Sequence, residues 1–472
     1  PISVVIMPMG FVSRWRSEES PFTGTCSPIP LFSPFGLRDC RFVYQWHLYA
    51  LTFPLFEKIK GTMISRSSYL ISFLTFLFSS ASLPGVDWPW FGGLHRDGVS
   101  AEAGLRTQWG DDEPRKLWKF EVGEGYSSVI EAEGLAYTVG NAGGKNTVFC
   151  LDPATGEKKW SHSFPCEKAP KYFNGGSRAT PALSEGNLYL FSHEGAFYAY
   201  EAKTGKVLWS KDLIKDFNGR RPTWGFSGSP LLADGKVIVD TGSKDGALVA
   251  MDAKSGQKVW TGGNDETGYA SPMLNPTRAG ELLVFNRHGL CGFRLSDGKD
   301  LFRYQHKTRY GINAAQPLVF GDTVLVSSAY GKGTALVDLG GRSPKAAWET
   351  ESLACQMASM VRVGDYAYGI HGQTGGRAKY STLFCLDVKK GRARWQERGF
   401  GVGSVILVGG TLVILSDAGE LSLAEPSPNS FKELARFQVM GGKDGWTPPT
   451  YANGRLYCRS NKGQVVCLSM GK

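Results

Sequence analysis

The sequence of 472 residues has few of the residue patterns that build common redox and metal sites. Its 9 cysteines and 7 histidines are scattered, with no adjacent cysteines, no Cys-x-x-Cys pair and no His-Glu-x-x-His spacing. The pattern therefore favours neither a zinc ribbon, a thioredoxin-type motif, a haem attachment site nor a zinc protease. The formal net charge is +10, but the basic residues form no stripe, so we expect no nucleic-acid partner.

The sequence also lacks an apolar run of the ~20 residues that a transmembrane helix needs. The run Tyr69–Phe78 has ten residues, follows the basic start Met63–Arg66 and precedes Ser79-Ser80-Ala81. This pattern predicts a secretory signal over 63–81, cleaved after Ala81, although a buried helix is an alternative interpretation. We interpret residues 1–62 as upstream read-through without structure, and Met63 as the start. No cysteine follows the run, so we predict no lipid anchor, no transmembrane helix in the mature chain, and a periplasmic or secreted location.

The sequence is rich in glycine (60 residues) and in Trp, Tyr and Phe (13, 18 and 27), which indicates many short strands joined by tight turns. A unit of the form Asp-x-x-Thr-Gly-x-x-x-Trp recurs along the chain. Its clearest copies are Leu151–Trp160, Tyr200–Trp209, Met251–Trp260 and Leu386–Trp395. Weaker copies end at Phe302, Trp348 and Phe437, and the first terminal aromatic is Trp118. The mean step is roughly 46 residues, which is typical of one four-stranded propeller blade.

The repeat predicts an all-β fold, an eight-bladed β-propeller of four-stranded antiparallel blades. The units lie at about 127–161, 179–210, 229–261, 271–303, 313–349, 358–397, 404–437 and 447–470. The last unit lacks its outer strand, and residues 116–120 can supply it, so that an N-terminal strand closes the ring. We therefore expect a lead-in segment over 82–114 and one propeller domain over 115–472.

The repeat resembles that of the PQQ-like (pyrroloquinoline quinone) β-propeller family over about 115–470. The lead-in Trp88–Ser100 is similar to the W-P-x-x-x-G-x-x-R-D-G-x-S opening of many secreted bacterial members. The family includes quinoprotein alcohol dehydrogenases, polyvinyl-alcohol dehydrogenases and the outer-membrane assembly lipoprotein BamB. The resemblance implies the fold, but it does not imply one activity, because the repeat encodes blade packing.

In a propeller, the loops that lead into the inner strands surround the mouth of the central channel, where ligands usually bind. Aligned by the proline that precedes each inner strand, the eight loops offer Tyr126, Arg178, Ser227, Tyr269, Asn313 or Ala314, Gln356, Gly401 and Trp446. Arg221 and Trp224 lie on the third loop. Aromatic, guanidinium and amide groups in a ring could stack on and hydrogen-bond a planar or polyhydroxylated ligand. Alternatively, these side chains only pack the loops together.

The resemblance to quinoprotein dehydrogenases implies further requirements: a Ca²⁺ ion held by an acid and an amide, an Asp base, and a Trp stacked on the quinone. Many members also have a disulfide between adjacent cysteines. None of the ring positions is acidic, although Asp216 and Asp265 lie near two of the loops, and Trp224 or Trp446 could stack. We therefore assign no catalytic and no metal-binding residue.

One disulfide is predicted, between Cys458 and Cys467. A two-residue turn at Lys462-Gly463 would place the two cysteines directly opposite each other in a hairpin, where Cα atoms approach to ~4.5 Å. The alternative is that Cys467 is simply a small buried residue between blades.

Together, these observations favour a monomeric binding or scaffold protein of the cell envelope, with no committed cofactor. Its partner would be a protein or a small polar ligand at the channel mouth. The alternative is a PQQ- and Ca²⁺-dependent dehydrogenase of alcohols or sugars.

Overall fold

The computed structural model describes residues 86–109, 112–169, 175–443 and 445–471. The segments 1–62 and 63–81, for which the sequence predicts read-through and a secretory signal, lie outside the described residues. No helix in the described part of the chain is long and apolar enough to cross a bilayer.

Within the described residues, thirty-three strands form eight separate sheets, which are the blades of a propeller. Two strands precede the first blade, β1 (Val99–Ser100) and β2 (Lys116–Glu121). Blade 1 consists of β3 (Ile130–Ala132), β4 (Leu135–Ala142), β5 (Lys145–Leu151) and β6 (Lys158–Pro165). Blade 2 consists of β7 (Ala182–Ser184), β8 (Asn187–Phe191), β9 (Ala196–Glu201) and β10 (Val207–Asp212). Blade 3 consists of β11 (Leu231–Ala233), β12 (Lys236–Asp240), β13 (Leu248–Asp252) and β14 (Lys258–Gly262). Blade 4 consists of β15 (Met273–Leu274), β16 (Glu281–Phe285), β17 (Gly289–Arg294) and β18 (Asp300–Gln305). Blade 5 consists of β19 (Leu318–Phe320), β20 (Thr323–Ser328), β21 (Gly333–Asp338) and β22 (Lys345–Thr350). Blade 6 consists of β23 (Val361–Val363), β24 (Tyr366–His371), β25 (Thr382–Asp387) and β26 (Arg392–Glu397), with a 3₁₀ turn at Gly375–Tyr380 between β24 and β25. Blades 7 and 8 consist of β27 (Ser404–Val408), β28 (Thr411–Leu415), β29 (Glu420–Glu425) and β30 (Lys432–Gln438); and β31 (Thr450–Ala452), β32 (Arg455–Arg459) and β33 (Gln464–Ser469).

The prediction of eight four-stranded antiparallel blades is confirmed. Strand β2 lies antiparallel to β33, with Phe120 opposite Val465, and forms the outer strand of blade 8. One pairing was not predicted: β1 adds to blade 7 as a fifth strand, parallel to the inner strand β27, with Val99 opposite Leu407.

The repeat motif forms a contact between each blade and the next. In blade 1, the Trp160 indole N–H donates to the carbonyl of Ala202 in the hairpin turn of blade 2 (2.8 Å). The ring lies against Gly205 in that turn, so closely that a Cβ at Gly205 would be 2.6 Å from it. Six indoles make this hydrogen bond to the following blade: Trp118, Trp160, Trp209, Trp260, Trp348 and Trp395. The motif therefore encodes packing between neighbouring blades.

The lead-in segment contacts the blades near the far ends of their inner strands, opposite the loops that lead into those strands. The backbone of Trp88 pairs with Glu131 of blade 1, and the Pro89 carbonyl accepts from the Leu183 N–H of blade 2. Farther along, the Gly98 carbonyl accepts from the Leu407 N–H of blade 7, and Glu102 accepts from the Gly454 N–H of blade 8. The lead-in thus connects four consecutive blades, 7, 8, 1 and 2.

The predicted disulfide between Cys458 and Cys467 is wrong, since both thiols are free and buried. Cys467 lies opposite Tyr457, and Cys458 lies opposite Val466. The hairpin turn has one residue more than expected, because Ser460 pairs with Gln464 around Asn461-Lys462-Gly463. A shift of one residue moves one side chain to the other face of the sheet, which separates the two thiols.

The contact between the indole and the glycine can be tested with two glycines that share a backbone conformation. Gly205 and Gly186 both have φ near 73°, but nothing lies within 4 Å of a Cβ at Gly186. Both alanine substitutions incur the strain of a positive φ, ~1–2 kcal/mol. Gly205→Ala should cost ~1–3 kcal/mol more, because it displaces Trp160. We expect a clearly lower midpoint of denaturant unfolding for Gly205→Ala than for Gly186→Ala. Equal midpoints would contradict this role of the ring.

Candidate functional site

Three predicted site residues meet at the channel mouth, where the chain enters blades 1, 2 and 8. The rings of Tyr126 and Trp446 are stacked, with centroids 5.4 Å apart and planes 8° from parallel. The Arg178 guanidinium lies over the Tyr126 ring, 5.9 Å from its centroid. Burial lowers the pKa of Arg178, and the neighbouring Tyr126 and Tyr269 oppose that shift. These residues form a stacked and positively charged surface.

The cluster continues along the loops of blades 3 and 4. Trp224 packs edge-on against Tyr269, with centroids 6.0 Å apart. Burial raises the pKa of Tyr269 to about 12, so that the phenol is neutral at physiological pH. Arg221 is exposed and lies 3.7 Å from Glu194. We call Tyr126, Arg178, Trp224, Tyr269 and Trp446 the mouth cluster.

The structure does not bring Asn313 and Gln356 into the mouth cluster. The Asn313 amide donates to the carbonyls of Asn286 (2.8 Å) and His306 (3.0 Å) and accepts from the Ser328 hydroxyl (2.6 Å). Gln356 donates to the Tyr330 hydroxyl (2.8 Å) and accepts from the Thr374 N–H (2.6 Å). Both amides hold loops together, as the alternative interpretation of the ring supposed.

A series of hydrogen bonds along the inner strands explains why Asn313 and Gln356 lie outside the mouth cluster. Two residues after each ring position, a backbone N–H donates to a polar side chain of the next blade. The series runs, at 2.9–3.2 Å, from Ser128 to Thr180, Ser229, Ser271, Gln316 and Ser359. In this register Ala314 and Met357 occupy the ring positions of blades 5 and 6. The hairpin of blade 7 likewise places Val402 there, not Gly401. The sequence alignment was one residue early in blades 6 and 7.

The acidic residues near the mouth already have partners. Asp265 accepts from His288 (3.2 Å) and from Asn286 (3.2 Å), and forms an ion pair with Arg303. Asp216 accepts from the Asp212 backbone N–H (2.8 Å). These contacts compete with any role for the two carboxylates as metal ligands or bases.

Sequence reasoning missed Asp240, which ends the second strand of blade 3. Burial raises the pKa of Asp240 to about 7, while hydrogen bonds from Thr267 and from backbone N–H groups oppose the shift. The second strand of each blade ends on the side of the mouth loops. An acidic residue at the end of such a strand, as at Asp240, was the signal in the sequence that could have indicated a site residue. A carboxyl group that titrates near neutral pH can accept or donate a proton.

The described residues do not fit a quinone with Ca²⁺. Calcium prefers ~6–8 oxygen ligands, and within the described ranges no three His, Cys, Asp or Glu side chains are close enough to share a metal ion. The amides of Asn313 and Gln356 are occupied by loop contacts. The channel cavity beneath Trp446 measures about 30 Å³, whereas cofactor sites occupy ~300–1,000 Å³.

A larger hollow lies on the rim of the same face, at blades 3 and 4. It measures about 300 Å³ and is lined by Arg220, Lys244, Asn264, Glu266 and His288. Its lining side chains are polar, with two cations, Arg220 and Lys244, and one carboxylate, Glu266. Its size is at the lower limit for a small ligand.

Comparison with known proteins agrees with this architecture. The structure defines an eight-bladed propeller with stacked aromatic side chains where the chain enters its blades. A family model described as "Outer membrane protein assembly factor BamB" matches residues 144–397, and the chain belongs to this family.

Individual relatives include two kinds of protein. The chain is 30% identical over 172 residues to an "Alcohol dehydrogenase (quinone), dehydrogenase subunit" of Gluconacetobacter polyoxogenes, covering 35% of this chain and 22% of the relative. It is 23% identical over 330 residues to the BamB of Burkholderia pseudomallei, covering 65% and 75%. The quinohemoprotein alcohol dehydrogenase structure from Comamonas testosteroni superposes with a TM-score of 0.60 at 14% identity, covering 82% and 81%. The sequence match spans about a fifth of the length of the first dehydrogenase relatives.

A buried histidine beside the mouth cluster makes stability depend on pH. His193 lies 3.7 Å from the Cys166 thiol, and burial, with Arg178 and Arg221, lowers the pKa of His193 to about 4. The unfolded state binds a proton near pH 6.5, whereas the folded state does so only near pH 4. This contribution to stability is therefore present above pH 6.5 and is lost as the pH falls toward 4, by at most ~1.4 kcal/mol per pH unit.

We expect His193→Gln to flatten the fall in the free energy of unfolding between pH 6.5 and 4. His306→Gln is the matched variant, because burial also lowers the pKa of His306 to about 4. Urea unfolding at several pH values measures both slopes. Curves for His193→Gln that run parallel to those of the wild type would show that this histidine does not contribute.

Proposed function

We propose that this chain is a binding or scaffold propeller of the cell envelope, which holds a protein segment or a small polar ligand at the mouth cluster. The observation that carries the proposal is the stacked pair of Tyr126 and Trp446 with Arg178 over the tyrosine ring. Rigid aromatic and arginine side chains lose little conformational entropy on binding and dominate the affinity of many interfaces. Family membership supports the proposal, because the family is named for a factor in outer membrane protein assembly.

We further propose a periplasmic or secreted location, export by a signal over 63–81, and a monomer. The apolar run Tyr69–Phe78 with its basic start supports export. The outer-membrane role in the names of BamB relatives is consistent with this location.

A PQQ- and Ca²⁺-dependent dehydrogenase is the second candidate. The likeness to quinone alcohol dehydrogenase subunits favours it, and so does Asp240, whose pKa of about 7 would suit a general base. Against it stand the poor fit of the metal donors and the ion pair of Asp265 with Arg303.

The binding role can be tested by photocrosslinking in the cell envelope. A photoreactive residue in place of Tyr310, which is half exposed and packs on Tyr330 near the mouth, should form an adduct with a specific partner. The same residue in place of the exposed Leu434, on the outer strand of blade 7, is the matched control. Trp446→Ala should reduce the mouth adduct at least tenfold, the order expected when an aromatic anchor is lost.

Equal adducts at positions 310 and 434, or a mouth adduct unaffected by Trp446→Ala, would contradict binding at the mouth cluster. Circular dichroism of Trp446→Ala shows whether the propeller is intact. Native mass spectrometry of the purified protein tests for a small ligand in place of a protein partner.

The dehydrogenase alternative has a separate test. We expect the purified chain, given PQQ and Ca²⁺ with primary alcohols or sugars, to develop no protein-bound quinone absorption band and to reduce no dye. Asp240→Asn is the informative variant if activity is found. Turnover that Asp240→Asn abolishes would replace the binding role with the enzymatic one.

A further inference from the structure

The polar hollow at blades 3 and 4 shares no side chain with the mouth cluster. Its lining comes from four segments that meet on the rim. Arg220 lies on the loop that leads into blade 3, and Lys244 lies in the turn between β12 and β13. Asn264 and Glu266 lie on the loop that leads into blade 4, and His288 lies in the turn between β16 and β17. The hollow is therefore a second candidate binding site, which does not depend on the proposed function.

Hydrogen bonds behind the hollow hold His288 in one orientation. Asp265, which is 14% exposed and ion-paired with Arg303, accepts from Nδ1 of the imidazole (3.2 Å). The Asn286 side-chain oxygen accepts from the His288 backbone N–H (3.0 Å). With its proton on Nδ1, the neutral imidazole has an acceptor at Nε2, on the opposite side of the ring. This Nε2 has no hydrogen-bond partner among the described residues and is not buried, so it is an acceptor available to the hollow.

The two cations of the lining keep free donors. Arg220 is anchored by Nε, which donates to the Gly242 carbonyl, and its Nη2 reaches the Asn264 carbonyl at 3.5 Å. Its Nη1 is 3.9 Å from Glu266 Oε1, which is beyond hydrogen-bond distance, and is not buried. Lys244 is exposed and forms no hydrogen bond or ion pair within the part of the chain that the structure describes. Free N–H groups on cations are strong donors to a carboxylate.

Glu266 gives the hollow a second acceptor. Its Oε2 accepts from Arg287 Nη1 (2.6 Å), whereas its Oε1 has no hydrogen bond among the described residues. Two cations and one carboxylate in the lining leave one positive charge, which a single carboxylate group of a ligand would neutralise. The hollow thus combines donors for an anion with acceptors for hydroxyl groups.

We propose that the hollow binds a sugar acid, that is, a small monocarboxylate that carries several hydroxyl groups. Arg220 and Lys244 hold the carboxylate, while Glu266 Oε1 and His288 Nε2 accept from hydroxyls of the ligand. The volume of about 300 Å³ lies at the lower limit of small-ligand sites, which sets the ligand near the size of one monosaccharide. An uncharged sugar leaves the cations without a partner, and an acid without hydroxyls leaves the two acceptors without one.

Four small ligands test the two halves of this recognition separately. Glucuronate has the carboxylate and the hydroxyls, glucose lacks the charge, cyclohexanecarboxylate lacks the hydroxyls, and glucose 6-phosphate has phosphate in place of carboxylate. In NMR titrations of the purified full chain at constant ionic strength, glucuronate should bind roughly tenfold more tightly than each of the others, the order of one charge-assisted hydrogen bond. No binding of glucuronate, or equal or tighter binding of any of the other three, would overturn the proposal.

Variants place the ligand on the chain. Lys244→Met should weaken glucuronate binding roughly tenfold, because one charged donor is lost. Lys254→Met, in the turn between β13 and β14 at the other end of blade 3, removes the same charge and should keep the affinity of the wild type. Glu266→Gln should reduce the preference for glucuronate over cyclohexanecarboxylate.

Trp446→Ala separates the hollow from the mouth cluster. It should leave glucuronate binding unchanged, even if it abolishes the adduct at the mouth. Loss of glucuronate binding in Trp446→Ala, or equal affinities of Lys244→Met and the wild type, would contradict binding in the hollow.

Discussion

The contact between a tryptophan of one blade and the turn of the next is the interaction on which the rest of this propeller depends. In the contact between blades 1 and 2, the Ala202 carbonyl accepts from both the Trp160 indole and the Tyr137 hydroxyl. The flat side of the indole rests on Gly205, where a side chain would not fit. One residue thus buries a large apolar surface and satisfies a polar group at the blade boundary. Where Phe302 and Phe437 replace the tryptophan, the indole hydrogen bond is not available, and the rings pack beside buried apolar clusters.

A second set of contacts at the inner strands sets the geometry of the channel. Ser128, Thr180, Ser229 and Ser271 connect consecutive blades through side-chain oxygens and backbone N–H groups. Tryptophans at the periphery fix the spacing of the blades, and these hydroxyls fix the register of the inner strands. Tyr126, Arg178 and Tyr269 of the mouth cluster each lie two residues before a member of this series, so the same contacts hold the backbone next to them. The series ends at Ser359 of blade 6, and the cavity beneath Trp446 is lined by residues of blades 6, 7 and 8.

The fold could be predicted because the repeat is local: Asp152, Gly156 and Trp160 lie within nine residues and recur with the blade. The side chains at the channel mouth were less predictable, because one residue more or less in a turn or loop changes which side chain occupies each position. A hairpin turn one residue longer separates Cys458 from Cys467. In the same way, a shift of one residue directs Gln356 at Tyr330 and gives its ring position to Met357. Tyr126, Arg178, Tyr269 and Trp446 were found because the spacing is regular in blades 1, 2, 4 and 8.

The same division explains why likeness in sequence says so little about activity in this family. The repeated residues pack blade against blade, whereas a ligand at the mouth meets loop residues that the repeat does not specify. Relatives with different names can therefore share the repeat with no requirement to share a metal ligand. In this chain the Asp265 carboxylate is held by Arg303 and His288, and the Asn313 amide is held by three loop contacts. Groups that a metal would need to recruit are already part of the scaffold. The binding role proposed above therefore rests on the stacked rings of Tyr126 and Trp446 and on the Arg178 guanidinium.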